Sequence, residues 1–161
     1  MNRVTRRLAV SAFAAAAVAG CATQPIPTTI ADTTARTPQL STLSRLINEA
    51  GLADTLGGGG PFTLFAPNDD AFKAVPPKTL AELGADKAFL KAVLSYHVVA
   101  AKLTAVEVKN GTARTVNGAD LALARAGETV TVEDAVVTLP DIAASNGVVH
   151  VIDRVLLPPK R

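Results

Sequence analysis

The stretch NGVVHVIDRVLLP, residues 146–158, most constrains the fold of this chain. If this stretch is a strand, one of its faces carries His150 between Val148 and Ile152. The other face carries Val149 and Val151, followed by Asp153. Two largely apolar faces are typical of a central strand that is covered on both sides. We therefore expect a buried His150 that has a hydrogen-bond partner and little tendency to ionise.

The first half of the domain is predicted to be mainly helical. Leucines recur at helical spacing over residues 40–50, and Gly51 stands where that helix would stop. A short buried strand over 62–66 follows a glycine loop at 57–60. Further helices are predicted around 80–83 and from Asp86 onward.

The second half is predicted to be β structure. Asn117-Gly118 is a hairpin signal, residues 128–132 and 135–139 favour the next strand pair, and the opening stretch supplies the last strand. Helices followed by strands indicate an α+β domain with an antiparallel sheet.

Residues 1–20 are predicted to be a signal peptide. A basic start precedes an apolar run of 12 residues, which is too short to span a bilayer. The run ends in VAGC, residues 18–21, which resembles the bacterial lipobox. Cys21 is the only cysteine, so lipidation there would explain an otherwise lone thiol. The alternative is a chance cysteine after an ordinary signal peptide.

Removal of the signal peptide changes the charge balance. The 16 basic residues become 13 against 14 acidic ones, so the mature net charge is −1. A near-neutral domain lacks the positive field that nucleic-acid binding needs. Residues 21–38, rich in Thr and Pro, are predicted to be a linker, with a domain over 39–158 and a tail at 159–161.

Three segments together resemble the signature segments of the fasciclin-like domain family. They are TLFAPNDDAF at 63–72, LSYHVV at 94–99, and the opening stretch, in the family's order. The resemblance extends over roughly residues 39–158. It implies an α+β fold, a wedge-shaped antiparallel β-sandwich with several helices around it. It also implies extracellular or cell-surface modules that serve adhesion, without catalysis.

The residues themselves give little support to an enzyme. The chain has two histidines and lacks HExxH and GxSxG motifs, and Cys21 is assigned to lipidation. We predict no cofactor and no metal site, because Asp69-Asp70 at a helix start are more typical of capping, with Asn68 as the cap.

Tyr96 and His97 lie in the second family segment. His97 is either a contact residue or, as we favour, a buried side chain that bonds a group near Asn68 or Asp69. A buried histidine of this kind stabilises the fold, so we expect the motif residues Asn68, Asp69, Tyr96, His97 and His150 to be structural.

The segment before the last strand is the candidate contact with a partner. Pro140 and the Asn146-Gly147 turn predict a surface loop that presents Asp141 and Ile142. In animal matrix proteins of the resembled family, a similar Pro-Asp-Ile segment is linked to integrin recognition, although Leu139 departs from that pattern. The alternative, which we favour, is that Ile142 packs into the core and Asp141 bonds the loop backbone.

The sequence therefore predicts a non-catalytic binding module of the cell envelope, lipid-anchored in the outer membrane or periplasm. Its expected partner is a protein or matrix component at the cell surface. The alternative is a periplasmic domain that binds a small molecule or lipid in a pocket. The oligomeric state is left open.

Overall fold

The structure is a computed structural model that describes residues 28–159. The signal peptide and Cys21 lie outside the described residues. Within residues 28–159, six α-helices precede most of the strands, and a 3₁₀ turn at Pro38–Leu40 joins the first two helices. The helices are α1 (Ile30–Arg36), α2 (Ser41–Glu49), α3 (Ala53–Gly57), α4 (Asp69–Lys73), α5 (Pro77–Ala85) and α6 (Lys87–Tyr96).

Seven strands of the described chain form one sheet in the order β2-β1-β7-β6-β5-β4-β3. The strands are β1 (Phe62–Pro67), β2 (Val98–Val99), β3 (Gly111–Arg114), β4 (Asp120–Ala126), β5 (Thr129–Val132), β6 (Ala135–Ala144) and β7 (Gly147–Ile152). An isolated bridge between Val99 and Thr115 joins the two edges, so the sheet is nearly a closed barrel.

The α+β class is confirmed, but the sheet is mixed rather than wholly antiparallel. Strand β1 runs parallel to β7, with Phe62 opposite Gly147 and Pro67 opposite Ile152. The chain can make this parallel pair because the long helical and β segment between β1 and β7 returns it to the same end of the sheet.

Strand β7 is central, as predicted, and all six of its residues are buried. Val149 and Val151 pack in a core that the helices cover. Ile152 packs in a second core inside the near-barrel, together with Phe65 of β1 and aliphatic side chains of β4 and β5. The apolar character of both faces of β7 follows from its position between these two cores.

Residues 28–36, which composition predicted as linker, are instead part of the folded domain. Thr29 and Asp32 form a capping box that starts α1, and Ile30 is fully buried in the helix-covered core. The linker prediction is wrong here because the helix makes its tertiary contacts through few large side chains, which leaves little apolar periodicity to detect.

Asn146 fixes α1 to the rest of the domain. Its side-chain oxygen accepts from the Ile30 N–H at 2.9 Å, and its amide donates to the Leu56 carbonyl at 2.6 Å and to the Gly58 carbonyl at 2.8 Å. The backbone oxygen of Asn146 accepts from the Phe62 N–H. The Asn146 side chain thus joins the start of α1 to the end of α3, and the Asn146 backbone bonds the first residue of β1.

Candidate functional site

The candidate contact segment, residues 139–142, is an irregular strand rather than the predicted loop. Leu139 pairs with Val151 and Ile142 pairs with Val149, so Pro140 and Asp141 together stand opposite one residue of β7. Such an extra residue is a β-bulge, which re-aims side chains locally. The prediction of a loop is wrong because Pro140 is tolerated at a bulge, where the ladder is already interrupted.

The bulge is held in place by His150. The Asp141 N–H donates to His150 Nδ1 at 3.2 Å, and His150 Nε2 bonds the Leu103 carbonyl at 2.7 Å. These two partners require the neutral tautomer that carries its proton on Nε2. Burial lowers the pKa of His150, and the ring stacks on Phe65 with centroids 5.5 Å apart.

Asp141 makes a second link from the bulge to the preceding loop. Its Oδ1 accepts from the Ala105 N–H at 2.8 Å. Its φ of 58° is in the left-handed region, which aspartate tolerates better than most residues. Through Asp141 and His150, the bulge is bonded to both Leu103 and Ala105, so its backbone is held rigid.

Two exposed aliphatic residues are the sequence neighbours of residues in this bonded bulge. Leu139 is 44% exposed, and Val106, next to the bonded Ala105, is 70% exposed. Pro140 and Asp141 are exposed as well, whereas Ile142 is half-buried against the helix-covered core. We call Val106, Leu139, Pro140 and Asp141 the contact surface. The sequence alone does not point to Val106. Its link to the bulge depends on the hydrogen bond from the Ala105 N–H to Asp141, which lies 36 residues further along the chain.

His97 is buried and neutral, as favoured from the sequence, but its partners differ from the predicted ones. Its Nδ1 donates to the Val93 carbonyl at 2.8 Å, and its Nε2 accepts from the Leu156 N–H at 3.0 Å. Burial lowers the pKa of His97 to about 4. The ring therefore ties the end of α6 to the segment that follows β7, and it makes none of the predicted bonds to Asn68 or Asp69.

The remaining motif residues bond groups within the domain. Asn68 caps α4 by accepting from the Ala71 N–H at 2.7 Å. The Asp69 carboxylate accepts from the Thr42 N–H at 2.9 Å and from the Ser41 hydroxyl at 2.8 Å, so it fastens the start of α2. Burial of Asp69 opposes ionisation, but these hydrogen bonds outweigh it and lower the pKa of Asp69.

Tyr96 is buried at the end of α6, beside the near-barrel core. Its hydroxyl donates toward Glu133 Oε1 at 3.3 Å. Burial and the neighbouring Glu133 carboxylate raise the pKa of Tyr96 to about 12. The phenol therefore stays protonated at neutral pH and contributes packing and a hydrogen bond to the second core.

The two histidines of the described chain are held by hydrogen bonds within the domain. Both histidine rings have both nitrogens bonded to backbone groups, so neither is free to take a proton from a substrate. Within residues 28–159, no three His, Cys, Asp or Glu side chains cluster as metal ligands would. No helix between residues 28 and 159 has the length and hydropathy to cross a membrane.

A groove of about 640 Å³ opens on the surface of the domain. Phe89, Ala119 and Pro158 line it together with the acidic residues Glu82 and Asp86. This groove is a candidate site for a small ligand under the alternative function.

The chain is similar to known proteins over most of its length. The Fasciclin domain family model matches residues 38–158. The chain is 41% identical over 133 residues to protein sll1483 of Synechocystis sp., covering 81% of this chain and 74% of that protein. It is 35% identical over 147 residues to the cell surface glycolipoprotein MPB83 of Mycobacterium bovis, covering 88% of this chain and 64% of the relative.

A solved structure shares the fold. It contains a FAS1 domain pair from the insect cell adhesion molecule fasciclin I, and it superposes with a TM-score of 0.65 at 19% identity. The match covers 81% of this chain and 51% of that one, as expected for one domain against a pair. The chain therefore belongs to the fasciclin domain family.

Proposed function

We propose that this chain is a non-catalytic module of the cell envelope that contacts a protein or matrix partner through the contact surface, and that it is lipid-anchored at Cys21. Membership of the fasciclin family supports the class of function. A relative named as a cell surface glycolipoprotein supports the location. The fold shared with an insect cell adhesion molecule supports adhesion as the type of contact.

The observation that carries the proposal is the rigid, exposed contact surface. Leu139 and Val106 present aliphatic area to solvent beside the Asp141 carboxylate. A surface whose backbone is already held loses little conformational entropy when a partner binds. Apolar side chains at the centre with a charge beside them are typical of protein contact sites.

Binding of the labelled mature domain to envelope fractions of the native host tests this proposal. We expect saturable binding that unlabelled domain displaces, and a loss of about tenfold in affinity for the V106S/L139S double variant, since burying two aliphatic side chains contributes about 1–3 kcal/mol. The matched control is L80S/V116S, which removes two exposed aliphatic side chains elsewhere and should bind like wild type. Equal binding by both folded double variants would remove the contact surface from the proposal.

A small-molecule role for the groove lined by Phe89 is the second candidate, supported by its volume and apolar wall. A Phe89→Ser variant that loses envelope binding while V106S/L139S keeps it would favour that alternative.

A further inference from the structure

His150 joins two parts of the domain through the two nitrogens of one buried ring. Its Nδ1 accepts from the Asp141 N–H of the β6 bulge at 3.2 Å, and its Nε2 bonds the Leu103 carbonyl, in the loop between β2 and β3, at 2.7 Å. A carbonyl can only accept, so the proton of the ring lies on Nε2 and Nδ1 carries none. The bond to the bulge therefore exists only while the imidazole is neutral.

Protonation of His150 removes one of these two bonds. The imidazolium carries a proton on both nitrogens, so Nδ1 becomes a donor that faces the Asp141 N–H, which is itself a donor. Two donors cannot bond each other, so the Asp141 amide loses its acceptor. The bond from Nε2 to Leu103 survives, because that nitrogen donates in both states. Protonation thus separates the bulge from the ring and leaves the ring bonded to the loop.

The bulge depends on few other bonds within the described chain. Pro140 has no N–H, and neither Pro140 nor Asp141 has a partner in the register with β7. Toward the loop, the Asp141 carboxylate accepts from the exposed Ala105 N–H at 2.8 Å. The φ of Asp141, 58°, is in the left-handed region, which a non-glycine residue keeps only when its surroundings hold it there. Loss of the His150 bond therefore allows the bulge to relax.

The groups around the ring determine the pH at which it gains a proton. Burial lowers the pKa of His150, against smaller opposing effects of the Leu103 carbonyl and the Asp141 carboxylate. Asp141 is the one charged residue of β6, and β1 and the rest of β7 have none. In the loop, Lys102 and Glu107 carry opposite charges, so their effects on the ring oppose each other. The folded protein therefore binds this proton in acid, below about pH 6.5.

We propose that His150 is a pH-sensitive switch that fixes the bulge of β6 at neutral pH and releases it in acid. The structural part of this inference stands on the hydrogen bonds of the ring. Its effect on binding rests on the proposed function, because Leu139, Pro140 and Asp141 of the contact surface lie in or beside the bulge. A partner that binds a rigid bulge at neutral pH has to order a relaxed one in acid, and that ordering reduces affinity.

NMR of the mature chain tests the switch without any partner. The chain from Cys21 onward, with Cys21→Ser, contains every described residue and both histidines. The His150 ring and the protection of the Asp141 amide against hydrogen exchange are followed from pH 7 to pH 4. We expect this amide to lose protection by about threefold to tenfold, the factor that one net hydrogen bond contributes, with the midpoint at which the ring titrates. The Ile30 amide, which also bonds a neutral side chain, is the internal control and should keep its protection.

His150→Asn is the matched variant for this titration. The Oδ1 of asparagine can take the position of Nδ1 and accept from the Asp141 N–H, but it does not titrate. In folded H150N, the protection of the Asp141 amide should therefore stay constant between pH 7 and pH 4. The wild-type titration decides the question by itself if H150N does not fold. A constant Asp141 amide while the wild-type ring titrates, or a ring that stays neutral until the whole domain unfolds, would overturn the switch.

Binding to envelope fractions separates this inference from the proposed function. Wild type and H150N are compared at pH 7 and at the pH where NMR shows the His150 ring protonated. We expect wild type to bind about threefold to tenfold more weakly at the lower pH, and H150N to change less. A change of equal size in both proteins would overturn the role of His150 in binding. Absence of saturable binding at pH 7 would overturn the proposed function, whereas the NMR titration still decides the switch.

Discussion

Replacement of His97 by Leu should reveal the pH dependence that the buried ring gives to folding. At pH 7 the leucine variant leaves the Leu156 N–H without its acceptor, whereas the Val93 carbonyl keeps the backbone bond from residue 97. An unpaired buried donor costs about 1–3 kcal/mol, so the variant should be less stable by that amount.

Acidification should reduce this difference. The folded-state pKa of His97 is about 4, whereas an unfolded histidine has a pKa of about 6.5. Between these values the unfolded chain binds a proton that the folded chain does not, so the contribution of His97 is fully present above pH 6.5 and is lost as the pH falls toward 4. Between pH 7 and pH 5 the loss is about 2 kcal/mol.

Urea denaturation of wild type and H97L at pH 7 and pH 5 measures this effect. Other acid-sensitive groups, including His150, act on both proteins and cancel in the difference when they are independent of His97. We expect the stability gap between the two proteins to shrink by about 2 kcal/mol at pH 5. A gap that stays constant between the two pH values would refute the assignment of a neutral, ionisation-resistant His97.

Three further outcomes follow from the bonds described. Asp69→Ala should lower the free energy of unfolding by about 1 kcal/mol, because the start of α2 loses the carboxylate that caps it. Asp70→Ala removes only a bond to the exposed Lys73, so it should change the free energy of unfolding by less than about 0.5 kcal/mol. The same urea assay measures both variants. Asn146→Ala should cost about 2–4 kcal/mol, since three hydrogen bonds are lost, and the neighbouring Ser145→Ala should be near neutral. Replacement of Cys21 by Ser should move the protein from membrane to soluble fractions and abolish labelling by a fatty-acid probe; unchanged labelling would rule out acylation at this residue.

Much of the fold could be predicted from patterns of burial, because β7 and α6 show their packing in the spacing of their apolar residues. The capped start of α4 could also be predicted, because Asn68 bonds a residue within the first turn of the helix that it caps. Gly51 ends α2 with a positive φ of 67°, as its position predicted. These features depend on residues that are close in sequence, so local sequence patterns are enough to predict them.

Features that depend on partners far away in sequence could not be predicted. The partners of His97 are Val93 and Leu156, and the second of these lies 59 residues away. Asp69 was predicted to act within its own helix, yet it also fastens α2 through a bond across 27 residues. Strand β6 continues through Pro140 because β7 supplies the pairing. No local pattern encodes these contacts.

Photocrosslinking in cells tests the central claim, that this chain contacts a partner through its contact surface, most directly. A photoreactive residue is placed at Leu139 in the membrane-bound protein, and a matched one is placed at Leu80, which is similarly exposed at 41% against 44%. We predict a discrete adduct from position 139 that excess unlabelled domain suppresses, and no such adduct from position 80. The same adduct from both positions, or a suppressible adduct from position 80 alone, would contradict the account.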